Sequence, residues 1–415
     1  MRTAPHTTLT GPPAAKGGRP AFPEGLPFLY PRLPDADVLV EAVRGILESR
    51  QLTNGRIVRE LEARAAEYLA VDYCIAVSSC TAGLMLVLRA ADLSGNVILP
   101  SFTFTATAHG VAWNGLRPVF ADVDPDTLTL SPAAAARATG VRASAILATH
   151  TFGTPCDVDA LGEIAARNGL RLVYDAAHAF GSRHGQVPIG GFGDAEVFSL
   201  SPTKVLVAGE GGLIATNDHL LAERCRIGRD YANPGDYDCQ FYGLNARMSE
   251  LHAAVALASL DGLDARLARR TELAERYWSG LRSVPGISWP VVRDGDRSTY
   301  KDFTILVEPG EFGISAASLA EALRSEGVQT RRYYAPPVHA QRAYRDVPST
   351  NGHLAVTERV AERVLTLPLW IDMSEEDVDL VVEAVRRIQA FASDGGVAPS
   401  DEDVVVIPDE ESDRP

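Results

Sequence analysis

The chain is poor in cysteine, in long apolar runs and in positive charge, and each shortage removes a class of protein. Five cysteines, Cys74, Cys80, Cys156, Cys225 and Cys239, are scattered through 415 residues without CxxC spacing. An odd, dispersed set is neither a disulfide framework nor a zinc site, so no metal is expected and the expected compartment is a reducing one, the cytoplasm. No apolar run approaches the roughly 20 residues that span a bilayer, so no membrane partner is expected. The first residues, MRTAPHTTLTGPPAAKGGRP, lack the apolar core of a secretory signal. The formal net charge is −15, which disfavours a nucleic-acid partner. The short basic runs, such as 266–270 and Arg331–Arg332, are broken up by acidic and apolar residues. A few well-placed arginines still suffice for a small anionic substrate.

What is present is enough chain for a large domain and a smaller one. Residues 1–35 form an N-terminal arm, expected to be partly flexible because its first part is rich in Pro, Gly and Thr. Residues 393–415 form an acidic tail of disordered composition. Between them, residues 36–270 are expected to be a large domain and 271–392 a small one. Apolar runs at Cys74–Val77, Val97–Leu99, Pro118–Ala121, Ala145–Ala148, Leu172–Tyr174, Val197–Leu200 and Leu213–Ala215 are predicted strands. Most are separated by helical stretches, such as Thr81–Ala91 and Asp157–Asn168. That alternation predicts an α/β fold, with a mostly parallel sheet covered on both faces. One long helix is predicted from Met248 past Arg270. In the small domain Phe303–Val307 is predicted as strand and Ala317–Ser325 as helix. A final helix follows Ser374, which has Asp377 three residues on, in a capping-box pattern.

Two segments carry chemistry. In Leu172-Val173-Tyr174-Asp175-Ala176-Ala177-His178 a carboxylate ends a buried strand, where α/β folds place ligands. Alone, Asp175 is better read as a helix cap. In Ser199-Leu200-Ser201-Pro202-Thr203-Lys204 a lysine follows another strand and precedes Gly209-Glu210-Gly211-Gly212. Alone, Lys204 is better read as a surface lysine. Together they match the needs of a pyridine cofactor: an amine to form an imine, and a carboxylate to keep the ring nitrogen protonated. Ser78-Ser79-Cys80-Thr81 opens a helix, where free N–H groups bind phosphate, though the same residues also suit an ordinary cap. Phe104 could stack on the ring, whereas Phe102 is expected in the core.

With these segments in order, the chain resembles the DegT/StrS-type sugar aminotransferases, a fold-type-I pyridoxal-phosphate family. The likeness spans nearly all of residues 40–392. It rests on Leu52-Thr53-Asn54-Gly55, Val77-Ser78-Ser79-Cys80-Thr81-Ala82, Leu99-Pro100-Ser101-Phe102-Thr103-Phe104, Pro118-Val119-Phe120-Ala121-Asp122-Val123-Asp124, Asp175-Ala176-Ala177-His178, Thr203-Lys204, Asn245-Ala246-Arg247-Met248-Ser249-Glu250 and Tyr334-Ala335-Pro336-Pro337-Val338-His339. The resemblance implies a large domain with a mostly parallel mixed sheet flanked by helices and a smaller C-terminal α+β domain. It implies pyridoxal 5'-phosphate as cofactor, with pyridoxamine phosphate as its amine form. It implies that Lys204 holds the cofactor as a Schiff base and shuttles the proton, that Asp175 pairs with the ring nitrogen, and that His178 reaches the phenolic oxygen. Phe104 would cover the ring, while Ser199, Thr81 and the Cys80 amide would hold the phosphate. Asn245 would come from the second subunit of a homodimer with a shared active site. Arg247 and His339 are weaker candidates for contacts near the sugar nucleotide, and a structural role for His339 is equally in play. Cys80 stands where the family usually has a smaller residue, and Ser201 where many members have a histidine.

The implied activity moves an amino group from glutamate to a keto-deoxysugar nucleotide, with dTDP-4-keto-6-deoxyhexose and amination at C-4 the leading expectation. The alternatives are a 3-keto-sugar aminotransferase, a pyridoxal-phosphate-dependent sugar dehydratase, against which Lys204 argues, and a non-catalytic cofactor-binding regulator.

Overall fold

The computed structural model describes residues 9, 11–140, 142–347 and 353–393. The acidic tail therefore lies, from residue 394 on, outside the described residues. Among those described, the strands are β1 (Tyr73–Val77), β2 (Asn96–Pro100), β3 (Arg117–Ala121), β4 (Ala143–Thr149), β5 (Arg171–Asp175), the short hairpin β6 (Arg183–His184) and β7 (Val187–Pro188), β8 (Ala195–Ser199), β9 (Gly212–Thr216), β10 (Ile287–Ser288), β11 (Phe303–Val307) and β12 (Val364–Leu367). Seven of them form one sheet in the order β1-β9-β8-β5-β4-β2-β3. The pairs β8–β5, β5–β4, β4–β2 and β2–β3 are parallel. Strand β9 alone runs against the others, pairing antiparallel with β1 and β8. The sheet is thus mostly parallel and mixed, as expected.

The period-two alternation of strand side chains divides this sheet into two buried faces. Cys74, Ala76, Ile98 and Ile146 belong to one apolar cluster, and Ile75, Val77, Val97 and Leu99 to another. Helices lie against both faces, so the strands read as continuous apolar runs. The helix Val158–Asn168 illustrates the local logic: Asp157 Oδ1 accepts from Ala160 N at 3.1 Å at its start, and Gly169 closes it in the left-handed conformation.

The long helix predicted from Met248 is two helices, Glu250–Leu260 and Leu263–Leu281. They break at Asp261-Gly262, where Gly262 adopts φ 68°. That region is open to glycine at little cost, so the turn is written in the sequence as Asp-Gly. The second helix carries the chain from one core to the next. Its Leu263 and Leu267 pack in the large cluster, and its Leu273, Ala274, Tyr277 and Leu281 pack around the small β10-β11-β12 sheet. The final helix, Glu375–Ser393, starts with the reciprocal cap: Ser374 N donates to Asp377 Oδ2 and Asp377 N to Ser374 Oγ, both at 3.0 Å.

Residues 14–28 of the expected arm are tied down. The buried Glu326 carboxylate accepts from Ala14 N at 2.9 Å and Ala21 N at 3.0 Å. Leu26 N donates to Gly327 O, and Leu26 and Phe28 are buried. Among the described residues, no helix is long and apolar enough to cross a membrane.

Candidate active site

Parallel strands point their C-terminal ends the same way, so β5 and β8 bring Asp175 and Ser199 to one edge of the sheet. Asp175 is the last residue of β5 and is 4% exposed. A buried carboxylate needs hydrogen bonds. The Thr107 hydroxyl donates to Oδ2 at 2.6 Å and Ala177 N to Oδ1 at 3.1 Å. Thr107 is in turn 2.8 Å from Thr103 Oγ1, which lies 3.1 Å from Thr149 Oγ1. Burial pushes the Asp175 carboxyl above the usual carboxylate range, while Thr107, the Ala177 amide and the charges of Lys204 and His150 pull it back. No helix follows Asp175, because residues 176–182 form turns and irregular backbone. The cap reading of this aspartate therefore fails.

Lys204 sits in the loop after β8. Its N–H closes a turn onto Ser201 O at 3.1 Å, with Pro202 inside the turn. Ala208 N to Leu200 O pinches the loop at its base. Burial, then the positive charge of Lys301, lowers the Lys204 ammonium to about 8, with Asp302, Cys80 and Asp175 acting the other way. The amine is thus available as a nucleophile near neutral pH. His178 Nδ1 is buried with no partner among the described residues. Burial, Lys204 and Lys301 hold this imidazole well below the ordinary histidine value, so it is neutral.

The helix Cys80–Ala90 begins where β1 ends. Its first amides have no intrahelical partner. Ser79 Oγ takes the third, from Ala82, at 3.1 Å. The amides of Cys80 and Thr81 are left at the helix N-terminus, where the helix dipole favours an anion. The Cys80 thiol turns inward, 3.5 Å from Val197 O and 4.0 Å from Asp175 Oδ1, and burial pushes it well above the usual thiol range. On the neighbouring strand, Gly212 faces the same amides: a Cβ there would come within 2.7 Å of Cys80 N.

The remaining expected residues are spread around this centre. Phe104 precedes the helix Thr105–Trp113 and is 59% exposed, while Phe102 is fully buried against Phe152 and Tyr334. Asn245 is exposed, beside Ala246, whose carbonyl accepts from Ser78 N at 2.8 Å. Arg247 pairs with Asp230 at 3.0 Å, with its guanidinium over the Tyr231 ring. His339 has partners on both nitrogens, Ser101 Oγ at 2.6 Å and the Glu358 carboxylate at 3.5 Å. That places it as a strut between the β2 loop and the helix Ala355–Arg363.

Three groups near the centre escape a sequence reading: Thr107, and the buried ion pair of Lys301 Nζ with Asp302 Oδ1 at 2.7 Å. Thr107 reads as an ordinary helical residue. For Lys301 a signal existed, since the chain contains only three lysines, Lys16, Lys204 and Lys301. Among the described residues no cluster of three or more His, Cys, Asp or Glu side chains could hold a metal.

Comparison with known proteins places this arrangement. The chain is 32% identical over 360 residues to a dTDP-4-amino-4,6-dideoxy-D-glucose transaminase of Shigella dysenteriae, covering 86% of this chain and 98% of the relative. It is 34% identical to a dTDP-3-amino-3,4,6-trideoxy-alpha-D-glucose transaminase of Streptomyces venezuelae, covering 83% and 90%. A crystal structure of DesI in the presence of its TDP-sugar product superposes with a TM-score of 0.87, at 38% identity, over 92% of this chain and 97% of that one. The fold is that of the fold-type-I aminotransferases. Residues 35–386 match the model of the DegT/DnrJ/EryC1/StrS aminotransferase family, and the chain belongs to this family of pyridoxal-phosphate-dependent sugar-nucleotide aminotransferases.

Proposed function

We propose that this chain moves an amino group from glutamate to a keto-deoxysugar nucleotide, a dTDP-4-keto-6-deoxyhexose aminated at C-4, with pyridoxal phosphate held at Lys204. The observation that carries the reading is the placement of Asp175 and Lys204 within each other's field at one end of the sheet. The residues fit the cofactor. A buried carboxylate stands ready for a protonated ring nitrogen, a buried histidine nitrogen lacks a partner, and a helix N-terminus offers two amides to a phosphate. When bound, pyridoxal phosphate supplies an electron sink for the carbon that loses or gains the amino group.

The chain's own residues then have defined tasks. Asp175, oriented by Thr107, holds the proton on the ring nitrogen. Lys204, as a low-pKa amine, would take and return the proton at the carbon that exchanges the amino group. The Cys80 and Thr81 amides, with Ser199, would hold the phosphate, and Phe104 would cover the ring. His178 would serve the phenolic oxygen, and Asn245 from a second copy of the chain would complete the phosphate site in a homodimer. Arg247 lies two residues from Asn245, with Tyr231 beside it across the Asp230–Asn245 bridge, and both are offered to the nucleotide. Amination at C-3 is the second reading, favoured by the likeness to the Streptomyces venezuelae relative.

The test is a panel of 4-keto and 3-keto sugar nucleotides with glutamate, with the aminated carbon read by NMR. A product aminated at C-3 replaces the first reading by the second, and preference for a simple keto acid over every sugar overturns both. Lys204→Ala is expected to abolish turnover and the imine band that borohydride traps. Undiminished turnover in that variant would sink the mechanism.

A further inference from the structure

The chain carries 54 acidic and 39 basic residues, so a place that gathers basic side chains and no acid asks for a reason. A narrow cleft of about 420 Å3, counting its open mouth, is such a place. It lies between residues 29–32 of the arm, the loop that carries Lys204, and the first turns of the helix Leu263–Leu281. Four basic residues line it, Arg32, Lys204, Arg266 and Arg270, and among the described residues no aspartate or glutamate does.

Two of these charges lack an anionic partner. Arg270 is 6% exposed, and its hydrogen bonds all run to backbone carbonyls, those of Thr299, Tyr300, Lys301 and Leu369. They use Nε and Nη2, which leaves Nη1 without a partner among the described residues. Burial lowers this guanidinium to about 10, so it stays charged at neutral pH. Asp302 opposes that shift, but Lys301 Nζ already holds its Oδ1 at 2.7 Å. Arg266 stands one turn earlier on the same helix face. It donates to Asp261 O at 2.7 Å and to Ser259 O, which are again carbonyls. Carbonyls hold a guanidinium in place without neutralising it, and a charge taken out of water needs an opposite one. Arg32 differs, since it pairs with Asp372 at the surface.

We infer that this cleft is an anion site in which Arg270 and Arg266 receive the carboxylate of the amino donor. This role deepens the reading of Lys204 as the anchor for amino transfer from glutamate, and rests on it. An amino acid carries a carboxylate one bond from the carbon that gives up its nitrogen. With that carbon at Lys204, the carboxylate is within reach of the cleft that Lys204 shares with both arginines. The diphosphate of a nucleotide sugar is placed otherwise, with the sugar ring between it and a keto carbon at C-4. A narrow cleft also suits a carboxylate head better than a nucleotide. Arginine fits the task because its five N–H donors can be divided, some to carbonyls that fix the group and others to an anion.

The test uses the holoenzyme, whose phosphate cradle is filled, and glutarate, which has the carbon chain and both carboxylates of glutamate but no amine to react. Calorimetry reads the binding directly. The wild type is expected to bind glutarate, and inorganic pyrophosphate is expected not to displace it. Arg266→Met is expected to weaken glutarate about tenfold, the loss of one hydrogen bond between charged groups. Arg270→Met is expected to weaken it further. That change also frees four backbone carbonyls, so the decision rests on Arg266→Met and on the wild-type competition. Arg276→Met, on the same helix but paired with Glu375 and Asp379 away from the cleft, is expected to bind as the wild type does. A wild type that binds no glutarate overturns the proposal, and so does Arg266→Met with undiminished affinity. Displacement of glutarate by pyrophosphate overturns it as well, and gives the cleft to the diphosphate of the nucleotide. Glutarate binding involves no amino transfer, so it can fail while the keto-sugar panel succeeds, and the reverse.

Discussion

The Thr107 hydroxyl donates to Oδ2 of Asp175 at 2.6 Å, from a helix to a strand end 68 residues on. It is the shortest contact that the buried carboxylate makes, and it opposes the rise that burial imposes on Asp175. Thr107→Val keeps the shape and removes the donor. A hydrogen bond to a charged group contributes about 1.5–3 kcal/mol, and the variant is expected to lose about that much at pH 7.5. A carboxyl raised by burial is favoured in its protonated form, so lowering the pH relieves the defect. Urea unfolding of the cofactor-free chain at pH 7.5 and pH 5 checks this. An equal loss at both values would show that the ionised carboxylate is not the acceptor that matters.

Lys204 and His178 make stability depend on pH in a stated direction. The folded chain releases the Lys204 proton at about 8, while an unfolded chain holds it to about 10.4. Between those values the unfolded state binds more protons, so this group's contribution to stability rises with pH through that window. Each unit is worth at most about 1.4 kcal/mol, and less where solvent reaches a partly exposed side chain. Lys204→Ala is expected to be more stable than the wild type near pH 7 and to lose that advantage toward pH 10. His178 works the same way lower down. Its folded value lies well below the ordinary one, so the contribution is present above about 6.5 and is lost as pH falls through that value. Unfolding free energies of the cofactor-free proteins from pH 5 to pH 10 test both, and a gap between Lys204→Ala and wild type that stays constant from pH 7 to pH 10 would refute the Lys204 part.

Local signals explain what could be read in advance. The seven sheet strands were legible because both faces of the sheet are buried, which writes each strand as an apolar run such as Val97-Ile98-Leu99. Asp175 could be singled out because it ends a strand, and Lys204 because it follows one beside turn-forming residues. The break at Gly262 was present as Asp-Gly but hidden by the helical periodicity on either side of it. The partners of the site were out of reach for another reason. Lys301 followed by Asp302 reads as a surface dipeptide, and only the fold buries it, two residues past the Thr299 hydroxyl that donates to His178 O. His339 and Ser101 meet across 238 residues, a pairing that no local pattern encodes.

Glu250 joins two helices that flank the large core. Its carboxylate, 2% exposed, accepts from Gly55 N at 2.8 Å, Ile57 N at 2.9 Å and Val58 N at 3.1 Å. These amides open the helix Arg56–Leu69, whose positive end suits a carboxylate. Glu250→Ala leaves all three without an acceptor in a dry place, at a cost of about 1–3 kcal/mol for each group left unsatisfied. A loss of at least about 3 kcal/mol is expected in denaturant unfolding, with Glu250→Gln recovering part of it. A loss below about 1 kcal/mol would mean that water reaches the helix end.

Gly212 is where the phosphate cradle and the sheet come closest. A methyl group there would lie 2.7 Å from both Cys80 N and Ser79 C, inside van der Waals contact with backbone. Backbone cannot rotate aside as a flexible side chain can, so Gly212→Ala must push the start of the helix Cys80–Ala90 away from β9. Overpacking of this kind costs about 1–3 kcal/mol. The displaced atoms belong to the segment whose Cys80 and Thr81 amides are assigned to the phosphate, so the strain is expected to appear in cofactor retention. Tenfold or more weaker binding of pyridoxal phosphate is expected by absorbance titration, since about 1.4 kcal/mol is tenfold in affinity. Inorganic phosphate, which competes for the cradle alone, should weaken in parallel. Unchanged binding of both the cofactor and phosphate would remove the Cys80 and Thr81 amides from the phosphate site.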